Sequence, residues 1–327
     1  MTRSRKTLVS QEVHMAWMID VILMMFCRSA FLSGYARESL TKVISIRSFL
    51  VVAVVFACMI PSPYLAATET KDGATLSVEP GAVVRWSAPG TTRCGMAGQT
   101  WPALEETCYY PIDVLHKPGR VQVTRKGHDK RTKSAYISVQ PFSYHTQEIE
   151  LGDIPQANPS ATDLKRASQE GKMLAKIWKS SKGPAQFTLP LGAPANPLPK
   201  GRDFGSKRIF NGKPADQPHM GADYATPPGS HIFAVADGKV VAAQDLFFPG
   251  NAVFINHGDN LITMYFHLSE IKVTVGQEVK KGDIIGLVGT TGRSTGPHLF
   301  FGIRWHNARI NPQFLLDDPA KIPAVIP

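Results

Sequence analysis

The chain has 327 residues, 43% of them hydrophobic and 19% charged, a balance that excludes wholesale disorder and fits about two domains of roughly 100–200 residues each. Its net charge is +10, with seven Lys/Arg against three Asp/Glu in the first 66 residues and therefore 29 against 23 in the rest. That moderately basic body suits an anionic polymer or membrane surface, or plain solubility; no recognition motif accompanies it, so nucleic acid is not an expected partner.

The first 66 residues read as a leader. Phe49 to Ile60, "FLVVAVVFACMI", is one apolar run of twelve residues, short of the ~20 that span a bilayer. Arg47 precedes it, and "PSP" with Ala66 and Ala67 follows, giving the three regions of a secretory signal peptide. An earlier run, Met15 to Cys27, is interrupted by Asp20. The depth of the signal in the chain predicts an over-long start, with translation beginning near Val43; the rival reading makes both runs membrane anchors. Either way the body is expected to be exported, to the periplasm or cell envelope, touching membrane only through a retained leader. Cys27 and Cys58 lie in this leader, which leaves Cys94 and Cys108. In a secreted chain such a pair suggests one disulfide, worth ~3 kcal/mol for a loop of about 15 residues; two free thiols are the alternative.

Residues 67–152 alternate in short, turn-rich pieces, "ATLSVEPGAVVRW", "GRVQVTRKG", "SAYISVQPF" and "TQEIELGD", which predict a small β-sandwich. His128 and His145 stand alone there. Residues 153–200 read as a bridge. Ser160 or Thr162 can cap a helix over about 162–179, carrying Leu164, Ala167, Leu174, Ile177 and Trp178 at three- and four-residue steps. Five prolines in "GPAQFTLPLGAPANPLPKG" then predict an extended linker. From 201 to 318, strand candidates such as "NAVFINH", "LITMYFHL" and "HLFFGIRW" are punctuated by glycine, predicting a compact domain of β-hairpins. Residues 319–327 read as a tail, and the fold class as mainly β.

Four pieces of the last domain carry polar groups suited to chemistry. "HMGADY" sets His219 and Asp223 four apart, an imidazole and a carboxylate that both suit Zn²⁺. His267 ends a strand in "YFHLS", and His298 follows a Gly/Ser/Thr loop in "TGRSTGPHLFF". His257, in "INHGDN", reads as pinning a turn, and His306 as too far beyond "GIRW" to reach the others. The hairpin glycines also fit biotinyl or lipoyl carriers, but no Met-Lys-Met is present.

Taken in order, HxxxD, YxHL and GxxGxxTGPHLxF, with "ADGKVV" and "VKKGDIIG" between them, resemble the lysostaphin- and LytM-type zinc metallopeptidases, which are glycyl-glycine and peptidoglycan endopeptidases. The resemblance spans about Phe204 to Leu316. It implies the LytM-like hairpin fold, a duplicated hybrid motif, with peptidoglycan peptides as substrate. It also implies Zn²⁺ held by His219 and Asp223, and His267 and His298 polarising the carbonyl and steadying the attacking water or oxyanion. The family's third zinc ligand is the second histidine of an HxH, and that position here is Phe300. Strand alternation gives residues 298 and 300 one face, and phenylalanine has no lone pair to donate. A catalytic zinc usually has three protein ligands and lowers the pKa of its water to about 7. With two ligands, Zn²⁺ is expected to be weakly held or absent, unless His298 swings in. Gly302 departs from the family too, since many relatives have an acidic residue there. The reading is therefore a peptidoglycan-directed metalloendopeptidase-family protein with impaired catalysis. The alternative is a non-catalytic module that binds cell wall, or activates another cell-wall hydrolase, through the same groove.

Overall fold

The computed structural model describes residues 76–326; the leader, with its signal or anchor, lies outside them. Short alternating runs become strands throughout, and the protein is mainly β. Upstream, β1 (Leu76–Val78), β3 (Thr91–Met96), β4 (Gln99–Pro102), β6 (Gly119–Gly127) and β7 (Thr132–Val139) form a sheet ordered β1-β7-β6-β3-β4. β2 (Val83–Ser87) and β5 (Thr107–Pro111) pair separately. A disulfide joins Cys94 on β3 to Cys108 on β5, with Cα atoms 5.3 Å apart. Trp86, Tyr110, Val123 and Ile137 are buried between these two sheets.

"TQEIELGD" does not belong to that sheet. Its strand β8 (Thr146–Ile149) pairs in parallel with β9 (Lys207–Phe210), which pairs with β10 (Lys213–Pro214). Sequence alternation marks a strand but not its neighbour, and here the neighbour lies some 60 residues downstream.

The largest sheet has nine strands. Six run β11 (Ala222–Tyr224), β18 (Leu299–Trp305), β15 (Leu261–Ile271), β14 (Gly250–Asn256), β13 (Gly238–Leu246) and β16 (Glu278–Val279). β12 (His231–Phe233) pairs with β17 (Ile284–Val288), β17 also with β15, and β19 (Ala308–Ile310) with β18. Alternation along β18 sends Leu299, Phe301, Ile303 and Trp305 into the main core. Phe300 falls instead in a second apolar layer, with Phe254, Ile262 and Met264.

Helix α1 (Ala161–Ser180) covers that second layer with Met173, Leu174, Ile177 and Trp178. Ser160 is the cap: its hydroxyl accepts from Asp163 N, while the Asp163 carboxylate accepts from Ser160 N, a reciprocal capping box. Leu164 is left exposed. Arg166 bridges Glu170 and Asp245, and Glu170 accepts from Phe247 N, which ties the helix to the end of β13.

The proline-rich stretch is extended but not a loose linker. Phe187, Leu191 and Ala195 are buried in the main core, because an apolar residue every few positions lets an extended chain pack without a ladder of its own. The last residues likewise pack: after α2 (Gln313–Leu316) and a 3₁₀ turn at Pro319–Lys321, Ile322 is buried in the main core and Val325 in the upstream one. No described helix is long and apolar enough to cross a membrane.

Candidate active site

The polar groups singled out in the sequence meet at the β11–β18–β15 edge of the large sheet. Asp223 on β11 faces Phe300 on β18 as register partners, and Phe300 faces Phe266 on β15. His219 Nε2 lies 3.1 Å from Asp223 Oδ1, and His298 Nε2 lies 3.5 Å from the same oxygen. The His267 and His298 rings are 4.8 Å apart between centroids.

Each histidine is anchored at the same ring atom. Nδ1 of His219 contacts the Asp203 carbonyl at 3.0 Å, that of His267 the Thr291 carbonyl at 2.9 Å, and that of His298 the Gly296 carbonyl at 2.8 Å. A carbonyl can only accept, so Nδ1 carries the proton and donates in all three, leaving Nε2 as the free nitrogen. This backbone anchoring is the support that metal-binding and catalytic histidines share. His267 reaches its place through a left-handed backbone, φ 66°, at an irregular point of β15. A non-glycine residue there costs about 1–3 kcal/mol, and it breaks the alternation that sequence reading relies on.

Burial depresses the His219 pKa, and Asp223 only partly opposes it. Burial and the neighbouring His298 push His267 down to about 4. For His298, burial would lower the value, but the Asp223 carboxylate outweighs it and the pKa is raised. Burial alone would raise the Asp223 pKa. Contacts with His219, His298 and Arg208 overcome that and hold the carboxyl far below the usual carboxylate range.

Arg208 was not foreseen from the sequence. Its Nη2 donates to Asp223 Oδ2 at 2.6 Å, and its Nε to Gln147 Oε1 at 3.3 Å. Nor was Asp203, whose carbonyl holds His219 and whose carboxylate lies 3.3 Å from His145 Nε2. His145 is thus a neighbour of the site and not a lone histidine. His257 is fully buried between the Asp237 carbonyl and Thr263 Oγ1, both at 2.7 Å. His306 lies at the far end of β18 against Asp259.

Phe300 is a core residue that also borders His219. Its ring stacks on Phe266 at 4.5 Å and meets His219 edge-on at 5.1 Å. Two glycines cradle it. A Cβ on Gly221 would stand 2.5 Å from the ring, and one on Gly302 would stand 3.1 Å from the ring and 2.9 Å from Met264. Gly302 thereby acquires a reason: a larger residue there would crowd the Met264 methyl and press on the phenyl ring.

His219 Nε2 and Asp223 Oδ1 are buried without a hydrogen-bond partner, so two electron-pair donors converge as a cation would require. The third side is carbon. Among the described residues no group of three or more His, Cys, Asp or Glu is arranged to hold a metal. The residues present do not make up a tight zinc site.

Two hollows flank these residues. One, of about 340 Å³, is lined by Asp223, His298, Arg202, Arg208 and Arg293. The other, of about 550 Å³, lies under α1 and takes in His219, His267 and Phe300.

Fold and site together define a metallopeptidase-like β domain. Residues 217–312 match peptidase family M23, and the chain carries a domain of that family. Among curated proteins it is 42% identical over 99 residues to the peptidoglycan DD-endopeptidase ShyA of Vibrio cholerae, covering 30% of this chain and 23% of that protein. It is 44% identical over 94 residues to the DD-carboxypeptidase/endopeptidase Mpg of Neisseria meningitidis, covering 29% and 22%. The chain thus spans about a quarter of the length of these relatives. Among solved structures, a candidate M23 peptidase from Pseudomonas aeruginosa superposes with a TM-score of 0.56 at 28% identity, over 75% of this chain and 96% of that one. That last likeness reaches well beyond the M23 match.

Proposed function

We propose that this protein acts on peptidoglycan in the cell envelope, where its groove recognises wall peptides, and that zinc-dependent hydrolysis in that groove is impaired by Phe300. The M23 domain and the endopeptidase activities of ShyA and Mpg support the substrate class; the leader supports export. The observation that carries the impairment is the phenyl ring seated between Gly221 and Gly302 beside His219. His219 and Asp223 are the groups that would hold a zinc ion, whose service is to activate a water molecule. His298, whose pKa the Asp223 carboxylate raises, can carry a proton at Nε2 and donate it to the carbonyl oxygen of a bound peptide. His267, kept neutral by burial and fixed at Nδ1, offers its Nε2 lone pair to a water molecule.

Digestion of isolated sacculi tests this. The wild-type protein with added zinc should release few soluble fragments. Phe300→His should raise release by more than the roughly 10–100-fold that a supporting contact alone would give. Wild-type protein that digests sacculi as fast as the histidine variant would end the proposal.

A further inference from the structure

Arg293 stands in the loop before β18 and lines the same hollow as Asp223 and His298. Its guanidinium carbon lies 4.1 Å from the ring centroid of Phe210 and 4.5 Å from that of Phe248. Phe210 ends β9 and Phe248 lies in the β13–β14 turn, so aromatic rings from two separate elements hold one cation. The loop's backbone is tied to the same turn, Arg293 N donating to Phe248 O at 2.9 Å.

Of the other charges of this hollow, all but the exposed Arg202 are already matched. Arg208 pairs with Asp223, and Asp203 faces His145. Arg202 is exposed to solvent. Among the described residues no carboxylate lies within ion-pair distance of Arg293. Burial and the nearby Arg208 lower its pKa to about 10, which agrees with a cation lacking a counter-ion. A guanidinium has five N–H donors in its plane. The two rings offer it no acceptor, so these donors remain for a ligand, and their fork matches a carboxylate. Holding it rigid beforehand lowers the ordering cost of binding.

We propose that Arg293 is the receptor for a free carboxylate of the wall peptide, seated in the hollow beside His298, and that it selects acidic peptides over neutral ones. This rests on the reading of the groove as a wall-peptide site. Stem peptides carry free carboxylates at their C-terminus and on acidic residues, so the ligand class is an anionic peptide. Arg293 is a specificity-determining residue, and its role needs no metal.

Calorimetric titration of the full protein tests it, with a soluble cross-linked stem-peptide dimer and the same dimer with its carboxylates converted to amides. Wild type should bind the acid form roughly 10- to 100-fold more tightly than the amide form, the ratio expected for charge-assisted hydrogen bonds. Arg293→Gln should bring that ratio to about one, and Arg293→Lys should leave it intermediate. The ratio is taken within one sample, so a loss of folded protein through the missing ring contacts cancels. Equal binding of both forms by wild type overturns the role of Arg293 and leaves the wall-peptide reading standing. An acid preference that survives Arg293→Gln also overturns it. Binding of neither form overturns both.

Discussion

The two ends of β18 each place a buried histidine beside a carboxylate, yet only one end opens onto a groove. At the closed end His306 lies 3.3 Å from Asp259. Its ring stacks on Trp101 at 4.2 Å and on Trp305 at 5.6 Å. The Trp305 indole N–H points at Asp259, 3.2 Å from its carbonyl and 3.3 Å from its carboxylate. At the open end His219 lies 3.1 Å from Asp223, with His298, Arg208 and two hollows around it. Distance within the pair hardly differs. Each pair also leaves its histidine Nε2 without a hydrogen-bond partner, so what separates a structural pair from a candidate site is its company: aromatic rings seal one, whereas two more imidazoles, guanidinium groups and two hollows surround the other.

That contrast can be broken most severely at the closed end. Trp305→Ala should cost about 3–5 kcal/mol, as large-to-small changes in a packed core do, read as a lower urea midpoint. A cost below about 1 kcal/mol would mean this end is not an anchor. His257 sharpens the contrast, being buried and fully bonded away from the groove. Burial lowers its pKa from 6.5 to about 4. The unfolded chain therefore takes up a proton first as pH falls. The stability His257 contributes is complete above about 6.5 and is lost as pH drops toward 4, a change on the order of 3 kcal/mol. The stability of His257→Asn should accordingly depend less on pH in that window than that of wild type; parallel curves would refute the assignment. A smaller effect concerns the cradle at the open end. Gly302→Ala should cost about 1–3 kcal/mol through crowding of Met264 and Phe300, and the part due to the ring should vanish in a Phe300→Ala background. Additive effects would show that Gly302 does not make room for the ring.

Much of this could be read from the sequence, for definable reasons. Side chains two apart in "HLF" share a strand face by alternation, so the common face of His298 and Phe300 was expected. The His219–Asp223 approach was expected only from the family resemblance that "HMGADY" helps to carry, since four residues of extended chain fix no such contact. The helix over residues 161–180 announced itself by its cap and apolar spacing. Arg208 and Arg293 gave no such signal. One is defined by an aspartate 15 residues downstream on β11, the other by two phenylalanines 83 and 45 residues upstream, so each depends on tertiary contacts that no local pattern encodes. His267 was expected at the site, but its left-handed backbone was hidden because nothing but glycine advertises positive φ. The role of Gly302 appeared only once the Phe300 ring had a position.

The central claim is that Phe300 leaves the metal position one electron pair short. Zinc content after dialysis against a weak chelator, measured side by side for wild type and Phe300→His, tests it most directly. The account predicts well under one equivalent in the wild-type protein and about one in the variant; an equal, full complement of zinc in both would contradict it.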